Sequence, residues 1–127
     1  MARLMAELPE IGTVANKAIA KLAGVAPLAS QRGNHDGPRR TRGGRERPRS
    51  FLFSAAGLAA RHEPDICDFD KRLTKKGKPR MVVRMALAHK LLTRLSAKAR
   101  EIRAKMAEDA RELEEANETR NDAAQAA

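Results

Sequence analysis

The sequence predicts an all-α fold: a small helical domain that carries a long basic loop and ends in a long C-terminal helix. Apolar residues recur at steps of three and four over most of the 127 residues, which is the spacing of one helix face. Glycine and proline interrupt this pattern between residues 25 and 50, so no helix is expected there. The longest periodic stretch runs from Met81 to Met106 and predicts the final helix.

Two short helices are predicted at the N-terminus. Residues 1–8 carry an apolar stripe that Pro9 interrupts. Thr13 can N-cap a second helix over residues 14–23, which Gly24 can close. The two helices are expected to form a short helical hairpin.

The segment from residue 25 to residue 50 is predicted to be a long basic loop. It carries seven arginines against two acidic residues, a net charge of +5. Flexible glycines would let the guanidinium groups follow a phosphate backbone. Segments rich in arginine and glycine also often stay unfolded without a partner, so a plain basic linker is the alternative interpretation.

Three further helices are predicted beyond the loop. The third spans about residues 49–62 and ends before Pro64. Pro64 and Asp65 suit the first turn of a fourth helix, which ends at the glycine-containing run of residues 75–78. Pro79 then suits the first turn of the fifth helix.

The apolar stripe of the fifth helix, over residues 81–106, has heptad-like spacing. It is interpreted as a core-facing helix whose distal part projects from the domain. The alternative is a two-stranded coiled coil, in which a homo-oligomer forms through residues 81–106. Asp109 and Asn117 weaken the stripe, and fraying is expected beyond Asn117.

The charge of the chain is large and unevenly placed. The formal net charge is +10, but residues 107–127 hold two basic and seven acidic residues, a net of −5, so residues 1–106 carry +15. We therefore divide the chain into one domain, residues 1–106, and an acidic tail, residues 107–127. A body with this charge is expected to bind a polyanion, and nucleic acid is the first candidate.

The sequence offers no clear catalytic or metal-binding cluster, and no cofactor is predicted in this chain. The charges at the start of the fourth helix are not interpreted as metal ligands; they are Asp65, Asp68 and Asp70. Three other residues follow no recognised metal-ligand spacing; they are His62, Cys67 and His89.

The cellular location is predicted to be the cytoplasm. A single cysteine excludes an intramolecular disulfide and suits a reducing compartment. No apolar run approaches the roughly 20 residues that a membrane span needs, so no membrane association is expected.

Phosphate contact by exposed cations is the predicted mode of nucleic-acid binding. Only three residues are aromatic, all on predicted helices, so base stacking is poorly supported. Arginine forks also match guanine edges, which leaves base reading by Arg42, Arg45 or Arg47 open. The residues predicted to contact DNA or RNA are Arg32, Arg39, Arg40, Arg42, Arg45, Arg47, Arg49, Lys78 and Arg80.

A series of short motifs in order resembles the C-terminal domain of transposases of the insertion-sequence 110/116/902 group. The likeness covers about residues 4–95 and depends on the order and spacing of the motifs together. They are AELPEIG at residues 6–12, IAKLAGVAP at 19–27, Gly33 and the arginine-rich run to residue 45, AARHEP at 59–64, Phe69, Arg72-Leu73, GKP at 77–79 and KLL at 90–92.

The resemblance implies a role in DNA recombination. It implies a two-part enzyme with an acidic, RuvC-like N-terminal domain, a helical C-terminal domain and a structured guide RNA, of which this chain is expected to be a truncated piece. The family's nucleophilic serine precedes the glycine that matches Gly33, but Arg32 stands there in this sequence and Ser30 lies two positions earlier. The chain is therefore predicted to bind DNA without cutting it alone. The alternatives are an active subunit that complements a separate RuvC-like chain, and a helical dimerisation module.

Overall fold

Five helices form the body of the protein in a computed structural model that describes residues 2–32, 35–41 and 43–126. The helices are α1 (Ala2–Glu7), α2 (Asn16–Leu22), α3 (Glu46–His62), α4 (Pro64–Lys75) and α5 (Arg80–Gln125). Among the residues whose burial the structure describes, all of the fully buried side chains come from these helices and the turns between them. The prediction of a helical domain with a long C-terminal helix is confirmed.

The core is built around the first half of α5, which packs against α2, α3 and α4. Each helix contributes at least one side chain that is almost completely buried. These include Leu4 of α1, Ile19 of α2, Leu52 of α3, Ile66 of α4 and Leu92 of α5. The predicted stripe of α5 is therefore occupied by the protein's own core from Met85 to Ala99, whereas Met81, where the stripe was expected to begin, is exposed.

The second half of α5 leaves the body. The helix has 46 residues, which at 1.5 Å per residue makes it about 69 Å long, and residues 104–125 are exposed all round. Because α5 continues to Gln125, the expectation of fraying beyond Asn117 was wrong. Neither α5 nor any other helix in the described part of the chain is both long and apolar enough to cross a membrane.

The predicted basic loop is wrong for most of its length, because residues 27–41 form an antiparallel pair of strands. These are β1 (Pro27–Arg32) and β2 (His35–Thr41), with an irregularity in register between Leu28 and Ser30. The strands carry mostly polar residues with no apolar alternation, so the usual sequence pattern of a half-buried strand is missing. We refer to β1 and β2 as the basic hairpin.

The start of α2 also differs from the prediction. Thr13 does not cap the helix, because its hydroxyl and its backbone N–H both donate to the carbonyl of Glu10, at 2.7 and 3.0 Å. Residues 9–14 form a separate turn, and α2 begins only at Asn16. The third helix likewise begins three residues earlier than predicted, at Glu46.

Two glycines hold the base of the basic hairpin against the end of α2. Gly24 and Gly44 have left-handed backbone angles, with φ of +71° and +75°, and a Cβ added to either would overlap backbone atoms on the other side of the contact. The N–H of Arg45 then donates to the carbonyl of Leu22 at 2.7 Å. Close backbone approach of this kind requires glycine.

We predict that Gly44→Ala destabilises the fold more than Gly43→Ala. Both residues have left-handed φ angles, so both substitutions carry the same strain of roughly 1–2 kcal/mol. Only the Gly44 substitution also overlaps the backbone of Gly24, while a Cβ on Gly43 meets nothing within 4 Å. Overpacking should add about 1–3 kcal/mol to the loss in unfolding free energy, measured by urea denaturation. Equal losses for the two variants would refute the close contact.

Candidate nucleic-acid interface

An open groove of about 980 Å³ lies between the N-terminal halves of α3 and α5. The base of the basic hairpin, at Val25 and Pro27, forms one of its borders. The walls are largely apolar because Phe53 of α3 faces Met81, Val82 and Met85 of α5 across the groove; all four side chains line it. We call this feature the α3–α5 groove.

Two cations and three other polar residues also line the α3–α5 groove. Arg49 of α3 donates from Nη1 to the carbonyl of Gly43 at 3.1 Å, which holds its guanidinium at the hairpin base. Lys78 lies just before α5 and is exposed. The other polar lining residues are Glu46, Ser50 and His89. The groove thus combines apolar walls with positive charge.

A cluster of exposed cations lies beside the groove, in the connection from α4 to α5. It consists of Lys75, Lys76, Lys78 and Arg80, and we call it the basic turn. In the described part of the chain these four side chains form no ion pair or hydrogen bond. The first turn of α5 has no acidic residue and no side-chain cap, so nothing there offsets the positive charge.

Arg45, one of the arginines predicted to contact phosphate, binds groups of the protein itself in this structure. Its guanidinium donates from Nη1 and Nη2 to the two carboxylate oxygens of Glu10, at 2.9 and 2.7 Å. Nη1 also donates to the carbonyl of Glu7 at 3.0 Å. Such a two-pronged arginine–carboxylate contact fixes the geometry of both groups. Arg45 thereby joins the start of α3 to the turn after α1.

The contact changes the acid–base properties of both partners. The hydrogen bonds from Arg45 lower the pKa of the Glu10 carboxyl, and the backbone hydrogen bond at Glu10 lowers it further. The Glu10 carboxylate in turn raises the pKa of Arg45, chiefly through the same hydrogen bonds. The charged forms of both groups are therefore favoured in the folded protein.

The structure describes the side chains of some of the remaining predicted contact residues and not of others. Arg47 lies 3.6 Å from a carboxylate oxygen of Glu7, but 84% of its side chain is exposed, so it remains open to solvent. Three further arginines lie on the strands of the basic hairpin, where the structure gives the backbone and not the side chains; they are Arg32, Arg39 and Arg40. Arg42 and Gly33 lie outside the described residues.

Two of the three aspartates of α4 have structural partners, as does Glu63 just before it. Arg94 of α5 donates to Glu63 at 3.1 Å and to Asp65 at 2.6 Å, which joins the two helices. Asp70 accepts a hydrogen bond from Thr74 one turn later, at 3.4 Å. Among the described residues, no three His, Cys, Asp or Glu side chains lie close enough together to hold a metal ion.

Comparison with known proteins assigns the chain to a family. The model described as the transposase IS116/IS110/IS902 family matches residues 1–71, which is more than half of the 127 residues. The chain belongs to this transposase family. Neither a curated protein nor a solved structure shows a significant match. The family likeness stated from the motifs is thus confirmed at the level of the family.

The family match and the groove overlap only in part. Residues 1–71 contain α1, α2, the basic hairpin, α3 and most of α4. The α5 side of the groove and the basic turn lie beyond the matched range. The match to the transposase family therefore includes the α3 wall of the α3–α5 groove, whereas the α5 wall lies outside the matched residues.

Sequence reasoning missed two arginines of α5 that hold the N-terminal turn. Arg100 donates to the carbonyl of Val14 at 2.9 Å, and Arg103 donates to the carbonyls of Ile11 and Pro9 at 3.0 and 2.9 Å. The acceptors are backbone atoms more than 80 residues away in sequence, so no motif could identify them. These two cations are used for folding.

The groove itself was also missed. A sequence signal existed at Met81, Val82 and Val83, three consecutive apolar residues that cannot all lie on the core face of a helix. Val83 and Leu87 are the buried residues of this part of α5, whereas Met81 and Val82 are 65% and 49% exposed. An apolar pair outside the buried face indicates a surface that contacts something else.

We predict that Glu10→Gln lowers stability at neutral pH and that the difference from wild type disappears in acid. Because the folded-state pKa of Glu10 is depressed, its contribution is present above its ordinary pKa and is lost as the pH falls through the lowered value. The urea midpoints of wild type and variant should therefore differ at pH 7 and converge below about pH 4.

Glu118→Gln is the matched control for this experiment. Glu118 is an exposed carboxylate of the distal part of α5. Its substitution should leave the urea midpoint nearly unchanged over the same pH range. If the urea midpoint of Glu10→Gln differed from that of wild type by the same amount at every pH, the charged contact with Arg45 would be contradicted.

Proposed function

We propose that this transposase-family chain binds nucleic acid at the α3–α5 groove, with the basic turn and the basic hairpin as its phosphate-contacting parts. The observation that supports this most directly is the division of the cations. Arg45, Arg94 and Arg103 bind groups of the protein itself, whereas the side chains of the basic turn have no such partner among the described residues. Exposed, uncompensated cations gathered beside one groove are the usual electrostatic footprint of a nucleic-acid site.

Membership of a transposase family favours DNA as the polyanion. On this proposal, the chain serves as the C-terminal, DNA-binding part of an insertion-sequence transposase in the cytoplasm. The sequence motifs between residues 6 and 27 and between residues 59 and 79 resemble those of the family's C-terminal domain, which supports this assignment. A structured guide RNA, which the resemblance implies, would offer the same phosphate groups to the basic turn.

Catalysis is proposed to require a separate acidic domain. The family resemblance implies a serine where Arg32 stands, and Ser30 lies on β1 opposite Gly37, two positions from the matching place. A strand-transfer assay with an added acidic-domain chain tests this directly. Activity of the unaltered chain in that mixture would favour the alternative of an active subunit, and activity gained only with Arg32→Ser would support the present proposal.

We predict that a triple substitution of the basic turn weakens DNA binding and flattens its salt dependence. The variant is Lys75→Gln, Lys76→Gln and Lys78→Gln. Each lost phosphate contact removes about 0.9 from the slope of log binding constant against log salt, so the slope should become shallower by up to about 2.7. Fluorescence anisotropy with a labelled duplex at several salt concentrations measures both affinity and slope.

A variant of equal charge change serves as the control. It replaces three basic residues of the distal part of α5, all exposed and surrounded by acidic residues, with glutamine; they are Lys105, Arg111 and Arg120. The control should bind DNA with nearly the wild-type slope. If both triple variants lose the same affinity for DNA and the same amount of salt slope, binding depends on net charge alone. The basic turn would then have no specific role in it.

A second candidate function is a helical interaction module. Beyond Ala99, the stripe of α5 continues with Ile102, Met106 and Leu113, all of them exposed. A homo-oligomer through α5 would therefore use this distal part, since the earlier stripe packs in the core. Sedimentation showing a monomer at tens of micromolar would eliminate this candidate.

A further inference from the structure

The apolar walls of the α3–α5 groove are not explained by phosphate contact. Met81 and Val82 place apolar surface at the groove while the adjacent Val83 is buried in the core. Phosphate binding needs only cations and N–H groups. A ligand that uses the whole groove must therefore present apolar surface as well as negative charge.

Phe53 supplies an aromatic ring to the same groove. The guanidinium carbon of Arg84 lies 5.0 Å from the ring centroid, a cation–π contact between α3 and α5 that holds the ring in place. A ring held in this way is pre-organised to pack against a flat partner. The thioether side chains of Met81 and Met85 can adapt to such a partner because they are flexible and polarisable.

The positive charge of the groove selects the chemistry of the ligand. Arg49 and Lys78 line the groove together with the apolar residues and a single carboxylate, Glu46, so the lining keeps a net positive charge. The other cations of the basic turn lie beside it. A nucleotide unit combines a flat apolar face with a phosphate, so it complements both parts. In a fully paired duplex the bases are stacked inside and mainly the backbone is presented, which would leave the apolar walls without a partner.

We propose that the α3–α5 groove binds unpaired nucleobases, with Phe53, Met81 and Val82 against the base faces and Arg49 and Lys78 on the flanking phosphates. The proposal rests on the nucleic-acid-binding function and narrows its substrate to a strand with unstacked bases. It also reverses the expectation from composition, because three aromatic residues in 127 suffice when one of them lines a charged groove.

The test compares three DNAs of equal length and end label: a continuous duplex, the same duplex with a four-nucleotide single-stranded gap, and that gapped duplex with abasic sites in the gap. Fluorescence anisotropy should show at least about tenfold tighter binding to the gapped duplex than to the other two, since one base contact of 1.4 kcal/mol is a factor of ten. The abasic DNA keeps the phosphates and the flexibility, so it isolates the contribution of the bases.

The matching variant is Met81→Gln with Val82→Thr, which changes exposed side chains and leaves the core intact. Leu58→Gln is its control, because Leu58 is an apolar residue of α3 that is 61% exposed and does not line the groove. The double variant should lose about tenfold in affinity for the gapped duplex and less than about twofold for the continuous duplex. Leu58→Gln should change neither affinity.

The outcomes separate this proposal from the function on which it rests. Failure of the wild-type chain to bind any of the three DNAs would overturn the proposed function. Equal binding of all three DNAs, with no effect of the double variant, would leave that function standing and overturn base binding. A double variant that loses self-association in sedimentation but keeps its affinity for the gapped duplex would assign the groove to a protein partner and likewise overturn base binding.

Discussion

The packing of the first half of α5 against α3 and α4 is the constraint on which the rest of the structure depends. Leu92 of α5, Leu52 of α3 and Ile66 of α4 are all completely buried in one core. Burial of side chains of this size contributes about 1.5–3 kcal/mol each, so this interface is a major source of stability in a domain of modest size. It also fixes the angle between α3 and α5, and thereby the width of the groove that opens at their N-terminal ends.

The cations of the body serve two different purposes. One group holds the fold: Arg45 binds Glu10, Arg94 joins α5 to the start of α4, and Arg103 binds carbonyls of the N-terminal turn. The other group, the basic turn, points into solvent beside the groove. A net charge of +10 alone does not distinguish these groups, and in the part of the chain that the structure describes the basic turn is available to a polyanion without breaking contacts of the protein.

Local features of the fold could be predicted from the sequence, and non-local ones could not. Pro64 begins α4 as predicted, and Pro79, which was expected in the first turn of α5, lies immediately before that helix. Both boundaries could be placed within one residue because proline acts on its own position in the chain. The basic hairpin was missed because strand pairing joins segments that lack an apolar pattern. The contact between Arg45 and Glu10 spans 35 residues, and the groove exists only after α3 and α5 pack, so neither is visible in a linear pattern.

Nucleic-acid binding at this surface requires the cations beside the groove to neutralise phosphates, and the salt dependence of wild-type binding to duplex DNA tests this most directly. If five phosphates are neutralised, the logarithm of the binding constant should fall against the logarithm of salt concentration with a slope of about −4.5. A binding constant that does not change with salt, or no binding at low ionic strength, would contradict the central claim.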